Sequence, residues 1–275
     1  MNTKAIESQF ALIGARLKVR QIPSQWSSWD RRMRPENFAM DIQRDGRGPF
    51  FEFRIPENLR DSLEATVMQS EPKQRHLLLL VRQTLATPKL DRFLCGHDER
   101  DWFVAAVPGG ASSVRQAMVA LQPAEVRQAL AQHLVSSQKR FARKNRAFRR
   151  QGEWFFVPEP RLVVDDRLIL RHEPLRRGGG KPHFVEQLYR TGGETVHVCR
   201  QYPNGVTPEV YHSILQRDRR AAGWGWQLMR RNPGVYARGT VRHSDHDTIV
   251  LPFWHRVLMS TETQSRTMAH VAFLD

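Results

Sequence analysis

Short apolar segments separated by turn residues recur along most of this 275-residue chain, and this pattern limits the folds that the chain can adopt. Asp45-Gly46 and Gly48-Pro49 are turn signals between neighbouring segments of the first half. Because the segments are short and rich in aliphatic and aromatic residues, they predict strands of an antiparallel sheet. The predicted strands of the first half are FALIGARLKV, FAMDIQRD, PFFEFRI, HLLLLVR, DRFLCG and WFVAAV.

Two helices are predicted after these strands, because the apolar period changes. Ser112 or Ser113 can cap a helix over SVRQAMVAL, and Pro123 begins a second helix that continues into the sequence KRFARKNRAF. We expect both helices to cover one face of the sheet. The buried side of the second helix is predicted to contain Val126, Leu130, His133 and Leu134.

The strand pattern returns at Gln151. Thr207-Pro208 predicts the start of a helix over residues 207–231, and HFVEQLYR is compatible with a strand or a short helix. The other segments predict a second β-rich unit. Its predicted strands are EWFFVPEP, RLVVDDRLILRHEP, TVHVCRQYP, GVYARGTVRH and TIVLPFWHRVLMS.

These elements predict an α+β fold, in which two β-rich units, mainly antiparallel sheet or barrel-like, are joined by a basic helix. Residues 1–138 are expected to form an α+β domain with an antiparallel sheet and two covering helices. Residues 139–150 are expected to form an Arg/Lys-rich helix or linker. Residues 151–275 are expected to form a β-rich domain with one helix and a histidine-rich segment.

The excess positive charge is concentrated in one short segment. The chain has 43 Lys and Arg against 28 Asp and Glu, and residues 139–150, KRFARKNRAFRR, contain 7 basic and no acidic residues. Such a block attracts a phosphate backbone, because each contact releases condensed counterions. RNA is favoured over DNA, since no helix-turn-helix or zinc-finger pattern is present. The residues predicted to bind nucleic acid are Lys139, Arg140, Arg143, Lys144, Arg146, Arg149, Arg150, Arg176, Arg177, Lys181, Arg219 and Arg220.

Aromatic residues next to arginines allow a related hypothesis. Trp26 and Trp29 precede an arginine cluster, and Trp224 and Trp226 lie beside Arg219 and Arg220. Indole rings can stack on unpaired bases while guanidinium groups hold the backbone. Packing in a core is the alternative for each of these indoles.

Histidines are also concentrated in one short segment, in the second half of the chain. Of 11 histidines, three lie in RHSDHDTIVLPFWHR, where a turn at Ser244-Asp245 could bring two rings together. Two imidazoles can act as general base and general acid on RNA, and three can hold Zn²⁺ or Mn²⁺ with Asp245 or Asp247 nearby. A structural or nucleic-acid contact role is the alternative, so no residue is assigned as a metal ligand and no cofactor is required. The candidate catalytic residues are His183, His243, His246 and His255, with His197 as a further imidazole that could join them.

Cysteine content and hydropathy limit the cellular context. The two cysteines, Cys95 and Cys199, are too few for a disulfide framework, and the first residues contain no apolar stretch of signal-peptide type. The longest apolar run is Leu77 to Val81, far below the roughly 20 residues that cross a bilayer. We therefore expect a cytoplasmic protein without membrane insertion, and homo-oligomerisation is left open.

Several stretches resemble a group of uncharacterised bacterial proteins. They are FLCGHDERDWFVAAVP, RQGEWFFVPEP, KPHFVEQLYR and YARGTVRHSDHDTIVLPFWHRV, and the resemblance extends over about residues 75 to 262. It implies a bacterial, intracellular origin, and it implies no catalytic residue, substrate or cofactor.

The sequence therefore predicts an RNA-binding component of a bacterial ribonucleoprotein that contacts phosphates through its Arg/Lys-rich helix. The first alternative is a His-dependent or metal-dependent phosphodiesterase or nuclease. The second alternative is a scaffold that binds an acidic protein partner.

Overall fold

The computed structural model describes residues 3–23, 38–84, 88–176 and 181–262. The described residues form two compact units. The first unit contains residues 3–123 together with residues 260–262, and the second contains residues 124–259. Each unit is rich in antiparallel strands and has few helices, which confirms the predicted α+β fold with two β-rich units.

The first unit begins with a helix, α1 (Thr3–Leu12), which packs against a three-stranded sheet. The strands are β1 (Leu17–Ile22), β2 (Ala39–Asp45) and β3 (Gly48–Pro56), in the order β1-β3-β2, with β1 parallel to β3. The predicted strand FALIGARLKV is therefore wrong over its first seven residues, which end α1 and connect it to β1. Ile6, Phe10 and Ile13 are buried at helical spacing, and Gly14 ends the helix at φ 77°.

The second sheet of this unit is antiparallel and buries both of its faces. It contains β4 (Leu63–Glu71), β5 (His76–Gln83), β6 (Lys89–Asp98) and β7 (Asp101–Ala106) in chain order. Leu77 and Leu79 of β5 pack with α1 and the first sheet, whereas Leu78 packs with α2 (Val114–Ala120). Alternate side chains of a strand point to opposite faces, which explains the uninterrupted apolar run. Of the two predicted caps, Ser112 and Ser113, it is Ser113 that caps α2, by accepting a hydrogen bond from the Gln116 N–H.

The second unit begins at Ala124 with α3 (Ala124–Gln132), so only α2 of the two predicted covering helices belongs to the first unit. Val126 and Leu130 of α3 pack with Phe148 and Phe155, whereas Leu134 is 90% exposed. His133 and Leu134 lie in the turn after the helix, so the predicted buried face is wrong at its end. The remaining elements are β8 (Arg149–Gln151), β9 (Trp154–Pro158), β10 (Leu170–Leu175), β11 (His183–Thr191), β12 (Glu194–Val198), α4 (Pro208–Arg217), β13 (Gln227–Arg231), β14 (Gly234–Arg242) and β15 (Ile249–Met259).

Six of these strands form one sheet in the order β10-β11-β14-β15-β9-β8, with antiparallel neighbours throughout. Its core contains Leu188, Val241 and Trp154. β12 and β13 form a separate two-stranded sheet. The predicted helix over residues 207–231 is therefore too long, because α4 ends at Arg217 and the last five residues form β13.

Residues 139–150, predicted as an Arg/Lys-rich helix or linker, form no helix and lie within the second unit. Residues 139–150, which we call the basic segment, contain turns and then a hairpin in which Lys144 pairs with Arg149. The Asn145 side chain accepts hydrogen bonds from the N–H groups of Ala147 and Phe148 at the tip. Burial of Phe148 folds the segment back onto its own unit, and a helix would place like charges three and four residues apart.

No helix in the described parts of the chain has the length and apolar content needed to span a membrane.

Candidate functional site

Strand pairing brings three imidazoles together in the second unit. His183 begins β11, His243 follows the end of β14, and His246 lies in the bend before β15. Because β11 and β14 are antiparallel, with Phe184 opposite Arg242, the start of one strand lies beside the end of the other. We call His183, His243 and His246 the histidine cluster.

The three rings are stacked at short range. The centroid of the His183 ring lies 4.1 Å from that of His243 and 5.7 Å from that of His246, and the last two are 4.7 Å apart. One ring nitrogen from each residue lies within 4.8 Å of the other two. The cluster therefore places three candidate ligand nitrogens close to one another.

Gln151 determines which nitrogen of His183 is free. The Gln151 Nε2 donates to the carbonyls of Val241, at 3.2 Å, and Asp247, at 2.7 Å. Its Oε1 must therefore accept from the His183 Nδ1, which lies 2.9 Å away. The proton of neutral His183 is held on Nδ1, and Nε2 carries a lone pair. His183 is only 1% exposed, so its packing also limits rotation of the ring.

The turn between β8 and β9 completes the surroundings of the cluster. Glu153 places its Oε2 3.7 Å from the His183 Nε2. Gly152 has φ 57°, and a Cβ atom there would lie 2.9 Å from the His246 Nε2. Sequence reasoning missed Gln151, Gly152 and Glu153, because a Gln-Gly-Glu turn between two strands carries no signal beyond the turn itself.

The loop after β14 holds the second imidazole. The Asp245 N–H donates to the His243 Nδ1 at 3.1 Å, and the Asp245 carboxylate accepts from Lys181 at 2.7 Å. Burial, with the neighbouring charges of His183 and His246, lowers the pKa of His243. Burial raises the pKa of Asp245, but hydrogen bonds from Lys181 and Ser244 outweigh it and lower that pKa overall. A neutral imidazole therefore lies beside an ionised aspartate.

Two other predicted histidines lie outside the cluster. His255 lies on β15, is 2% exposed and stacks on Phe253, whose carbonyl is 2.7 Å from the His255 Nδ1. Burial lowers its pKa. His197 stacks on Tyr211 with ring centroids 3.8 Å apart. Neither imidazole is placed to act with the other three.

The basic segment carries its charge on the surface. Lys139, Lys144 and Arg146 are exposed. Within residues 3–23, 38–84, 88–176 and 181–262, no carboxylate lies within ion-pair distance of these three or of Arg149. Arg149 instead donates to the carbonyl of Val250 at 2.6 Å.

The other three cations of the segment, Arg140, Arg143 and Arg150, are partly buried. The guanidinium of Arg140 lies 5.7 Å from the centroid of the Phe141 ring. Arg150 donates to the carbonyl of Gly152 at 3.3 Å, and its N–H donates to the Arg143 carbonyl at 2.7 Å. The last of these bonds joins the two arms of the hairpin.

The remaining predicted phosphate ligands are dispersed. Arg176 is exposed after β10, and Arg219 and Arg220 are exposed in a short 3₁₀ turn after α4. Lys181 is paired with Asp245. Arg177 lies outside the described residues, as do Trp26 and Trp29.

Three aromatic rings lie together, and two of them belong to the segment that follows Arg219 and Arg220. The rings of Tyr202, Trp224 and Trp226 are nearly parallel, with centroids 5.7 to 6.1 Å apart. All three are half-buried, and the Trp226 indole N–H donates to the carbonyl of Ala221. The two indoles therefore pack against each other and against Tyr202, in agreement with the alternative that they have a structural role.

Cys95, which lies two residues before His97 in the first unit, is not a reactive thiol. Cys95 is 0% exposed in the first unit, and burial raises the pKa of its thiol far above the ordinary range. His97 packs its ring edge against Trp102, with centroids 5.0 Å apart. The thiol is therefore a core residue.

A scan against protein-family models, a search of curated proteins and a search of solved structures each found no match for this chain. Function is therefore inferred from the chemistry of the histidine cluster and the basic segment.

Proposed function

We propose that the protein binds nucleic acid, with RNA preferred, through the basic segment. The observation that carries this proposal is the absence of a carboxylate beside Lys139, Lys144, Arg146 and Arg149 within the described chain. Cations without internal counter-charges attract mobile anions, and a polyanion that replaces those anions gains the entropy of their release.

The shape of the segment supports RNA over double-stranded DNA. A hairpin with a buried Phe148 presents its cations from a compact turn, whereas a protruding helix would be suited to a major groove. Half-exposed Phe141, with the guanidinium of Arg140 beside its ring, adds an aromatic surface of the kind on which unpaired bases stack. Irregular and single-stranded RNA exposes both phosphates and base faces.

The test compares two triple variants with the same change in net charge. Lys139→Glu, Lys144→Glu and Arg146→Glu together should weaken binding of a labelled single-stranded RNA. The salt dependence of log K should also become shallower by about 2, since each phosphate contact on a single strand contributes roughly 0.7. The control is Lys4→Glu, Arg60→Glu and Lys73→Glu, three exposed cations of the first unit.

Equal weakening by both triple variants would mean that net charge, and not the basic segment, attracts RNA. Unchanged salt dependence in the first variant would refute the proposal. Retention of a protein from the host after nuclease treatment, with no RNA bound, would instead favour the acidic-partner alternative.

A second candidate function, phosphodiester cleavage at the histidine cluster, is favoured by one observation. Arg149 and Arg150 end the basic segment, and the next residue, Gln151, hydrogen-bonds His183. RNA held by the segment would therefore pass near the imidazoles. Incubation of labelled RNA with wild type and with His246→Ala, in the presence and absence of chelator, tests this candidate. The exposed His133, replaced by Ala, is the control.

A further inference from the structure

His183, at the start of β11, lies beside two histidines of the loop between β14 and β15, and this grouping needs an explanation. Imidazoles that are close together repel one another when protonated, so the grouping adds nothing to stability at low pH. His183 is 1% exposed, and His243 and His246 are half-buried. Neutral imidazole is among the commonest metal ligands in proteins.

We propose that the histidine cluster binds one divalent transition-metal ion, with Zn²⁺ preferred, through one nitrogen of each imidazole. Ligands about 2 Å from a tetrahedral ion lie about 3.3 Å apart. The candidate nitrogens lie within 4.8 Å of one another. Because the rings are stacked, with their planes 23° to 28° apart, coordination of one ion requires the two half-buried rings to turn as well as to move toward His183.

His183 already has the form that a metal ligand needs. Gln151 accepts the Nδ1–H, which leaves the Nε2 lone pair free for the ion. Metal-binding histidines usually donate their second N–H to such an acceptor, which orients the ring and raises ligand basicity. The two backbone carbonyls bound by Gln151 prevent its amide from turning. Gln151 is therefore a positioning residue for the metal site.

His243 must change its hydrogen bond when the ion binds. Its Nδ1 accepts from the Asp245 N–H, so the proton of the neutral ring is on Nε2. Coordination through Nε2 moves that proton to Nδ1, and coordination through Nδ1 occupies the lone pair. In either case the Asp245 N–H loses this acceptor. Metal binding should consequently shift the amide resonance of Asp245, whose residue lies in a short bend.

Glu153 is placed to supply an oxygen atom as the fourth ligand or to accept a proton from a metal-bound water. Its Oε2 lies 3.7 Å from the His183 Nε2, close to the ligand separation of a tetrahedral site. Three nitrogens and one oxygen favour Zn²⁺ over Mg²⁺ and Ca²⁺, which prefer oxygen ligands. Zn²⁺ should also bind more tightly than Mn²⁺, in line with the general affinity order of divalent metals.

The experiment uses the full chain after removal of metal with a chelator. Titration with Zn²⁺ against a chromogenic competitor should give one tight site per chain. His243→Ala and His246→Ala should each weaken binding by at least about 100-fold, whereas His133→Ala should leave it unchanged. Co²⁺ bound to the wild type should show the visible absorption of a tetrahedral site, and this absorption should disappear in both cluster variants.

Circular dichroism establishes that each metal-free variant is folded before titration. His243 and His246 are replaced instead of His183 because they are half-buried, so their loss disturbs the core less. Absence of stoichiometric Zn²⁺ binding by the folded wild type would overturn the proposal. Equal affinity in wild type and both cluster variants would also overturn it. Because the probe is the metal alone, the result does not depend on RNA binding, and either proposal can fail without the other.

Discussion

Each cation of the first sheet and each cation of the basic segment carries one positive charge, but the surroundings of the two sets differ. On the first sheet, Asp45 accepts from Arg16 at 2.8 Å and from Lys18 at 2.7 Å. Arg20 lies 3.3 Å from Glu52. These guanidinium and ammonium groups are neutralised by carboxylates of the same sheet, so they contribute to the fold and add little to the external field.

Arg149 of the basic segment shows the contrasting case. It donates to the carbonyl of Val250, and a carbonyl satisfies the N–H group without cancelling the charge. The exposed Lys139, Lys144 and Arg146 likewise have no carboxylate partner among the residues that the structure describes. Arg16, Lys18 and Arg20 therefore contribute less to the external field than the four cations of the segment that lack a carboxylate partner in the part of the chain that the structure describes.

The largest stability effect should come from the apolar residue that holds the segment in place. Phe148 is 1% exposed and meets Phe155 edge to face, with ring centroids 5.1 Å apart. Phe148→Ala should lower the free energy of unfolding by about 3–5 kcal/mol, because it leaves a cavity in the core. Phe141→Ala, at a half-exposed position seven residues earlier, should cost less than about 1 kcal/mol. Urea unfolding followed by circular dichroism measures both, and equal losses would show that the hairpin is not held by Phe148.

A smaller effect is expected where a charge pair supports the first unit. Asp45→Asn removes the carboxylate that Arg16 and Lys18 share, so the thermal unfolding midpoint should fall by about 1–3 °C, since exposed ion pairs contribute little to stability. Asp61→Asn, at an exposed position of the same unit, is the control and should have no measurable effect. An equal fall of the unfolding midpoint in the control would show that the ion pairs of Asp45 are not the cause of the effect.

The pH dependence of this contribution follows from the same contacts. Hydrogen bonds from Arg16 and then Lys18 hold the pKa of Asp45 well below its usual range. A depressed folded-state pKa stabilises the protein above the ordinary aspartate pKa, and this stabilisation is lost as the pH falls toward the folded value. Acid titration of the unfolding midpoint should therefore be shallower in Asp45→Asn than in wild type, and identical slopes would contradict the assignment.

The smallest effect is expected in the basic segment itself. Arg146→Gln should change the free energy of unfolding by no more than about 0.5 kcal/mol, since Arg146 is exposed and removing one of several like charges relieves repulsion. Arg16→Gln is the matched variant in the first unit, and it should cost clearly more, because Arg16 donates to Asp45. Urea unfolding measures both variants. A larger loss for Arg146→Gln than for Arg16→Gln would contradict the conclusion that only Arg16 is stabilised by a carboxylate partner.

Elements with local signals were predictable from the sequence. Ser113 caps α2 as expected, and the segments HLLLLVR and TIVLPFWHRVLMS lie in strands. The end of α1 was mistaken for a strand because FALIGARLKV is rich in apolar residues, although Phe10 and Ile13 also fit one helical face. A short apolar run satisfies both periods, and contact with Phe51 on a distant strand selects the helix.

The histidine cluster depended on contacts between distant residues. The sequence indicated that His243 and His246 could meet across a turn, and the pairing of β11 with β14 adds His183 and leaves out His255. Gln151 lies on β8, which three strands separate from β11 in the sheet order, yet its side chain hydrogen-bonds His183. No pattern within one segment reports such a contact.

The sequence by itself determined the α+β class, the position of the charge block and the number of histidines, because composition and short-range periodicity are properties of each segment alone. Tertiary structure decided that the basic segment folds into a hairpin instead of a helix, and which imidazoles meet. Burial of Phe148 and the register of β11 against β14 make these choices, and both depend on residues far apart in the chain.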